Sequence, residues 1–133
     1  MRIYGDSGIS IYYLEGTPSF KARATARLTA LWGAGDTLVI GDLVRLECRM
    51  LPIRLGDAVR LAEFDKLFAQ PNFSLVPFTT AIFDRVTIIK AIHNFKLGDS
   101  LHLATAMEAR YDRFLTNDLR LSAFTAIPVE VLP

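Results

Sequence analysis

The sequence holds one cysteine in 133 residues, Cys48, which excludes an internal disulfide and any Cys-based zinc cluster. No apolar run approaches the ~20 residues that cross a bilayer. Asp6 interrupts the N-terminal stretch where a secretory signal would need its apolar region, so a reducing cytoplasm is the expected compartment. Neither sign of charge is in excess: 15 Lys and Arg face 14 Asp and Glu, a balance that does not by itself announce nucleic-acid binding. A Gly-x-Ser-x-Gly elbow and a phosphate-cradling glycine-rich loop are both missing, which leaves a serine nucleophile unsupported. Repeats, low-complexity tracts and linkers are missing too, and one domain over residues 1–133 is expected.

What is present suits a globular core: 51% hydrophobic residues with 22% charged and 11% aromatic. Short apolar runs alternate with longer stretches of helical period. Strands are predicted over roughly Arg2–Asp6, Thr37–Ile40, Phe73–Val76, Phe114–Thr116 and Val129–Leu132. Between them fall a helix at Ile9–Leu14, one through Phe20, Ala24, Leu28 and Leu31, and one at Leu43–Leu51 stopped by Pro52. Further helices follow at Leu61–Phe68, after the cap Thr79, and over Gly98–Tyr111. Such alternation needs crossover connections and gives a three-layer α/β/α fold with a central, mostly parallel sheet of four to five strands. Leu38–Ile40 is continuously apolar and Phe73–Val76 is so but for Ser74, as strands buried on both faces should be.

Ligands of open parallel sheets bind beyond the carboxyl ends of the strands. Asp6 ends the first strand and Asp118 follows the fourth, Glu47 lies about one turn into the helix after the second strand, and Asp99 opens the alanine-rich helix. Singly, each has a plain reading: Asp6 and Asp118 as helix N-caps, Asp99 as a first-turn acid, Glu47 as a solvated residue. Jointly, four carboxylates in one small volume repel each other and raise their pKa values unless a cation neutralises them. Oxygen ligands alone suit Mg²⁺ or Mn²⁺. Arg45, Arg49, Arg54 and Arg120 read either as phosphate holders beside such a pocket or as ordinary surface residues.

The segments Ile3-Tyr4-Gly5-Asp6-Ser7, Asp42-Leu43-Val44-Arg45-Leu46-Glu47, Asp99-Ser100-Leu101-His102-Leu103-Ala104-Thr105-Ala106 and Phe114-Leu115-Thr116-Asn117-Asp118 resemble the PIN domain family, specifically the VapC-type toxins of bacterial toxin–antitoxin systems. The resemblance spans nearly the whole chain. It implies that Asp6, Glu47, Asp99 and Asp118 form an acidic quartet holding Mg²⁺ or Mn²⁺, with Ser7, Thr116 and Asn117 in support. It further implies an endoribonuclease leaving a 5′-phosphate and a 3′-hydroxyl, a homodimer, and a cognate VapB-type antitoxin. The chain departs from the family pattern at Gly5, at Gly8 and at Leu97-Gly98, while all four acids are present.

His102, three residues after Asp99, reads as part of the helix pattern, His93 as a helix-end cation, and Cys48 as a small buried hydrophobe. Apolar positions in Phe20–Leu31 and around Phe64–Phe68 are candidates for a partner groove or dimer contact. Rival functions meet specific obstacles. An aspartyl-nucleophile phosphohydrolase wants a second Asp where Gly8 stands, and a receiver domain wants its Asp at the end of the third strand, where the chain has Val76-Pro77. The alternative that survives is a PIN-fold RNA-binding or interaction module with weak or no nuclease activity.

Overall fold

Arg2–Gly5 forms β1, the middle strand of a five-stranded sheet, in a computed structural model that describes residues 1–133. With a strand on each side, Ile3 and Tyr4 are fully buried. Two helices follow, α1 (Ser7–Glu15) and α2 (Pro18–Gly33), then β2 (Thr37–Gly41), α3 (Asp42–Leu55), α4 (Ala58–Phe68) and β3 (Phe73–Val76). The second half runs α5 (Thr80–Ile92), α6 (Leu97–Glu108), β4 (Arg113–Thr116), a 3₁₀ turn at Leu119–Ala123 and β5 (Val129–Val131).

The strand order is β3-β2-β1-β4-β5 and every pairing is parallel, so the expected three-layer α/β/α fold is the observed one. Register sets Tyr4 opposite Val39 on one side and Phe114 on the other. The chain starts at the centre, builds outward through β2 and β3, then returns to the far side of β1 with β4 and β5. That reversal makes the gap between β1 and β4 the topological switch point of the sheet. The core is one cluster of 28 buried apolar residues, contributed by β1 to β4 and by one stripe of each long helix, with Val129 of β5 packed against it.

Four expectations need correction. Helix α3 does not stop at Pro52 but runs through it to Leu55. Val44, Cys48 and Pro52, four residues apart, form its buried stripe, and burying that stripe outweighs the hydrogen bond a proline removes. Helix α6 spans Leu97–Glu108 and ends before Tyr111, because Arg110 turns into the left-handed region at φ 56°. β3 is an edge strand, so Phe73–Val76 is not buried on both faces and Leu75 is 42% exposed. Finally, Leu28, Leu31, Phe64 and Phe68 belong to the core, whereas Phe20 is exposed as expected, and most other large exposed apolar residues lie on α3 (Leu46, Met50, Leu51, Ile53, Leu55) and α5 (Phe83, Ile88, Ile92). Those two helices carry apolar side chains on two faces, and a single sequence does not tell which face turns inward.

Candidate functional site

β1 and β4 deliver their carboxyl ends side by side, with the Asp6 N–H donating to the Leu115 carbonyl (3.1 Å) as the last rung of that ladder. Asp6 follows β1 at the start of α1, and Thr116 ends β4 two residues before Asp118. From the neighbouring crossovers, α3 brings Glu47 on its second turn and α6 brings Asp99 on its first. All four predicted acids line one open cleft of about 420 Å³, together with Ser7, Gly8, His102 and Asn117.

Asp6 is buried, and the Thr116 hydroxyl donates to its Oδ2 at 2.5 Å. Its Oδ1 is shut away from water with no hydrogen-bond partner. Burial pushes this carboxyl up to about 6, against the pull of the Thr116 hydrogen bond. Asp6 precedes α1 but makes no side-chain cap, so the helix-cap reading does not account for it. Thr116 also accepts from the Asp118 N–H (3.1 Å), so one hydroxyl links two of the acids.

The remaining three acids divide according to their neighbours. Asp99 is raised by burial and then by the charge of Asp118. Asp118 is lowered, chiefly because the Arg120 guanidinium donates to both of its oxygens, at 3.0 Å from Nε to Oδ1 and 2.5 Å from Nη2 to Oδ2. It also caps the 3₁₀ turn through the Arg120 N–H, so the cap reading holds for this residue. Arg120 Nη2 lies 3.8 Å from Asp99 as well. Burial pushes Glu47 up, but hydrogen bonds from His102 and Ser7 outweigh it and hold the carboxylate low. The expected common rise in pKa is therefore confined to Asp6 and Asp99, since the chain supplies an imidazole to Glu47 and a guanidinium to Asp118.

His102 is the residue that sequence reasoning undervalued. It is buried, its Nε2 lies 2.6 Å from Glu47 Oε1, and its Nδ1 lies 2.7 Å from the Tyr4 hydroxyl. Ser7 donates to the same Glu47 oxygen at 2.8 Å. The available signal was its spacing: three residues from Asp99, it shares that face of the helix. Asn117 donates from Nδ2 to the Tyr12 hydroxyl at 2.9 Å. Its Oδ1 is packed against Gly8 so closely that a Cβ there would collide with it, and that Cβ would stand 3.6 Å from Asp6 Oδ1. Gly8 is thus the residue that admits the Asn117 amide to the pocket. Of the four arginines, only Arg120 reaches the acids. Arg49 pairs with Asp65 (2.8 Å), Arg45 lines a separate groove on α3, and Arg54 is exposed at the end of that helix.

As the side chains stand, no three carboxylate, imidazole or thiol groups are close enough together to enclose one ion. Asp118 is turned onto Arg120 and Glu47 onto His102. The donor set nevertheless fits a hard divalent cation: the anionic groups are all carboxylates, and Asp6 Oδ1 is a buried oxygen with no proton donor to satisfy it.

The sequence profile of the PIN domain family matches residues 3–127. No curated protein sequence matches the chain. Among solved structures, VapBC2 of Rickettsia felis, bound to a DNA fragment from its promoter, superposes with a TM-score of 0.82 at 13% identity, covering 100% of both chains. A toxin–antitoxin complex of Klebsiella pneumoniae gives 0.77 at 19% identity over 98% of each chain. The sarcin–ricin loop cleaving toxin VapC20 of Mycobacterium tuberculosis gives 0.77 at 16%, covering 98% of this chain and 99% of its own. At these identities the likeness is one of fold.

Proposed function

The chain belongs to the PIN domain family, and from that premise we propose that it is a divalent-metal-dependent endoribonuclease, the toxin of a toxin–antitoxin pair. The observation that carries the proposal is the meeting of Asp6, Glu47, Asp99 and Asp118, from four separate segments, in one cleft at the switch point of the sheet. In this reading Asp6, Asp99 and Asp118 hold Mg²⁺ or Mn²⁺ directly, and Glu47 holds it through water or positions a second ion. The bound ion supplies an acidified water and charge neutralisation at the phosphodiester.

The chain's own groups do the rest. Thr116 fixes Asp6 through Oδ2, leaving Oδ1 as the binding oxygen. Ser7 orients Glu47, and the Asn117 carbonyl, admitted by Gly8, adds a neutral oxygen beside Asp6. Arg120, paired with Asp118 at the cleft, is able to leave its carboxylate for a substrate phosphate. The products are a 5′-phosphate and a 3′-hydroxyl. The substrate is RNA, the class of target named for VapC20, and the partners are a VapB-type antitoxin and a second copy of the chain, in the cytoplasm.

The test is incubation of the purified protein with structured RNA in Mg²⁺, Mn²⁺ or EDTA. Cleavage in either metal, absent in EDTA and absent from folded Asp6→Asn and Asp99→Asn variants, is the expected result. RNA binding in EDTA with no products in either metal would replace the enzyme with a PIN-fold binding module, and cleavage retained by either variant would refute the site.

A further inference from the structure

Glu47 presents its two oxygens to different surroundings. Oε1 receives both Ser7 (2.8 Å) and His102 Nε2 (2.6 Å), whereas no hydrogen bond reaches Oε2. Behind His102 the contacts continue into the core. Its Nδ1 meets the hydroxyl of Tyr4, a wholly buried side chain whose ring stacks on Phe114 and Tyr111 with centroids 5.4 and 5.8 Å away. Gly41 passes that hydroxyl so closely that a Cβ would come within 3.0 Å of it, and β2 thereby closes over the Tyr4–His102 contact.

The chemistry of the groups favours one direction for these bonds. An ionised carboxylate can only accept, so the proton facing Glu47 belongs to Nε2. In the tautomer with its proton on Nε2, Nδ1 is an acceptor, and Tyr4 donates to it. Burial holds the Tyr4 hydroxyl well above its ordinary range, in keeping with that donor role. A hydroxyl on the central strand of the sheet thus sets the tautomer of an imidazole on α6, and the imidazole sets the rotamer of a carboxylate on α3.

We propose that Tyr4 and His102 are positioning residues for Glu47: their buried hydroxyl–imidazole contact ties up Oε1 and turns Oε2 alone toward the cleft. This rests on the reading of the cleft as a divalent-ion site. Outer groups that orient a metal-binding carboxylate typically carry 10- to 100-fold in metal affinity. An alternative role, in which His102 merely fills space in α6, would leave the metal affinity attached to Glu47 untouched.

Mn²⁺ itself is the probe, titrated by calorimetry into the full-length protein and into Tyr4→Phe, His102→Gln, His102→Ala, Glu47→Ala and the His102→Ala/Glu47→Ala double variant. Thermal melts report which variants fold. His102→Ala is expected to weaken Mn²⁺ binding on the order of 10-fold or more. Tyr4→Phe, which keeps the stacked ring, weakens it less, and His102→Gln, which keeps an N–H donor, recovers part of the loss. The decisive comparison is the cycle: in the Glu47→Ala background the His102→Ala effect should vanish, because His102 acts only through that carboxylate. Nitrogen-15 spectra of the metal-free wild type should show His102 as the single Nε2–H tautomer, and Tyr4→Phe should disturb it. Unchanged affinity in folded His102→Ala, an undiminished effect without Glu47, or an Nδ1–H tautomer would each overturn the inference while leaving the metal site standing. Unchanged affinity in Glu47→Ala would overturn that part of the site reading, and this inference with it.

Discussion

Replacing Asp6 by Asn should make the metal-free protein more stable at neutral pH. The carboxyl is 8% exposed, one oxygen lacks any partner, and its pKa stands at about 6 against an ordinary value near 3.8. A shift of that size corresponds to about 3 kcal/mol at 1.36 kcal/mol per unit, the cost of keeping the group ionised in the fold. Asn is close in shape to the protonated acid and can accept from Thr116, but its amide would leave an unpartnered N–H where Oδ1 now sits. Such a group costs ~1–3 kcal/mol, which reduces the expected net gain to about 0–2 kcal/mol. The sign in pH follows from proton counts. Between about pH 4 and pH 6 the folded state binds more protons at Asp6 than the unfolded chain does, so this residue's contribution falls as pH rises through that window and is flat above it. Urea denaturation of both proteins in EDTA, at about pH 7.5 and again near pH 4, measures the difference. Reasoning from burial would be refuted if Asp6→Asn were less stable than wild type at the higher pH, or if its stability relative to wild type failed to fall at the lower one.

Other substitutions read other parts of the molecule. Glu130, a quarter exposed, accepts from Arg27 (2.6 Å) and Arg113 (2.9 Å) and is held below its ordinary range chiefly by Arg27. Glu130→Gln should cost roughly 1 kcal/mol at neutral pH, since solvent screens the ion pairs. That loss should disappear in acid as wild-type Glu130 protonates below its usual carboxylate range, which denaturation at two pH values would check. Gly8→Ala ordinarily gains up to about 1 kcal/mol inside a helix, yet here the methyl meets the Asn117 amide, so we expect no gain or a loss, relieved in the Gly8→Ala/Asn117→Ala double variant. Arg120→Ala should bind Mn²⁺ more tightly, because Asp118 loses its guanidinium, while binding RNA more weakly and with a shallower salt dependence.

The strands were legible because buried parallel strands read as short, continuously apolar runs, and the acids because Asp6 and Asp118 stand directly beyond two of them. What sequence pattern could not supply was the position of a strand within the sheet. β3 is apolar but for Ser74 and reads much like β2, yet its place at the edge lets Leu75 meet solvent. The continuation of α3 through Pro52 was hidden for a related reason: local rules price the proline, while the compensating burial with Val44 and Cys48 is tertiary. His102 was hidden by its company, since an imidazole among Leu101, Leu103 and Ala104 looks like filler until Tyr4 and Glu47, from distant segments, are seen on its two nitrogens.

The central strand of the sheet is synthesised before the other four, and its far-side neighbour β4 comes after β2 and β3. Asp6 and the hydroxyl that holds it are 110 positions apart, so a nascent chain leaving the ribosome carries half a pocket until β4 has emerged. Any chemistry at that pocket is consequently withheld from translation intermediates and from C-terminally truncated products, whose exposed β1 edge invites pairing with other chains instead.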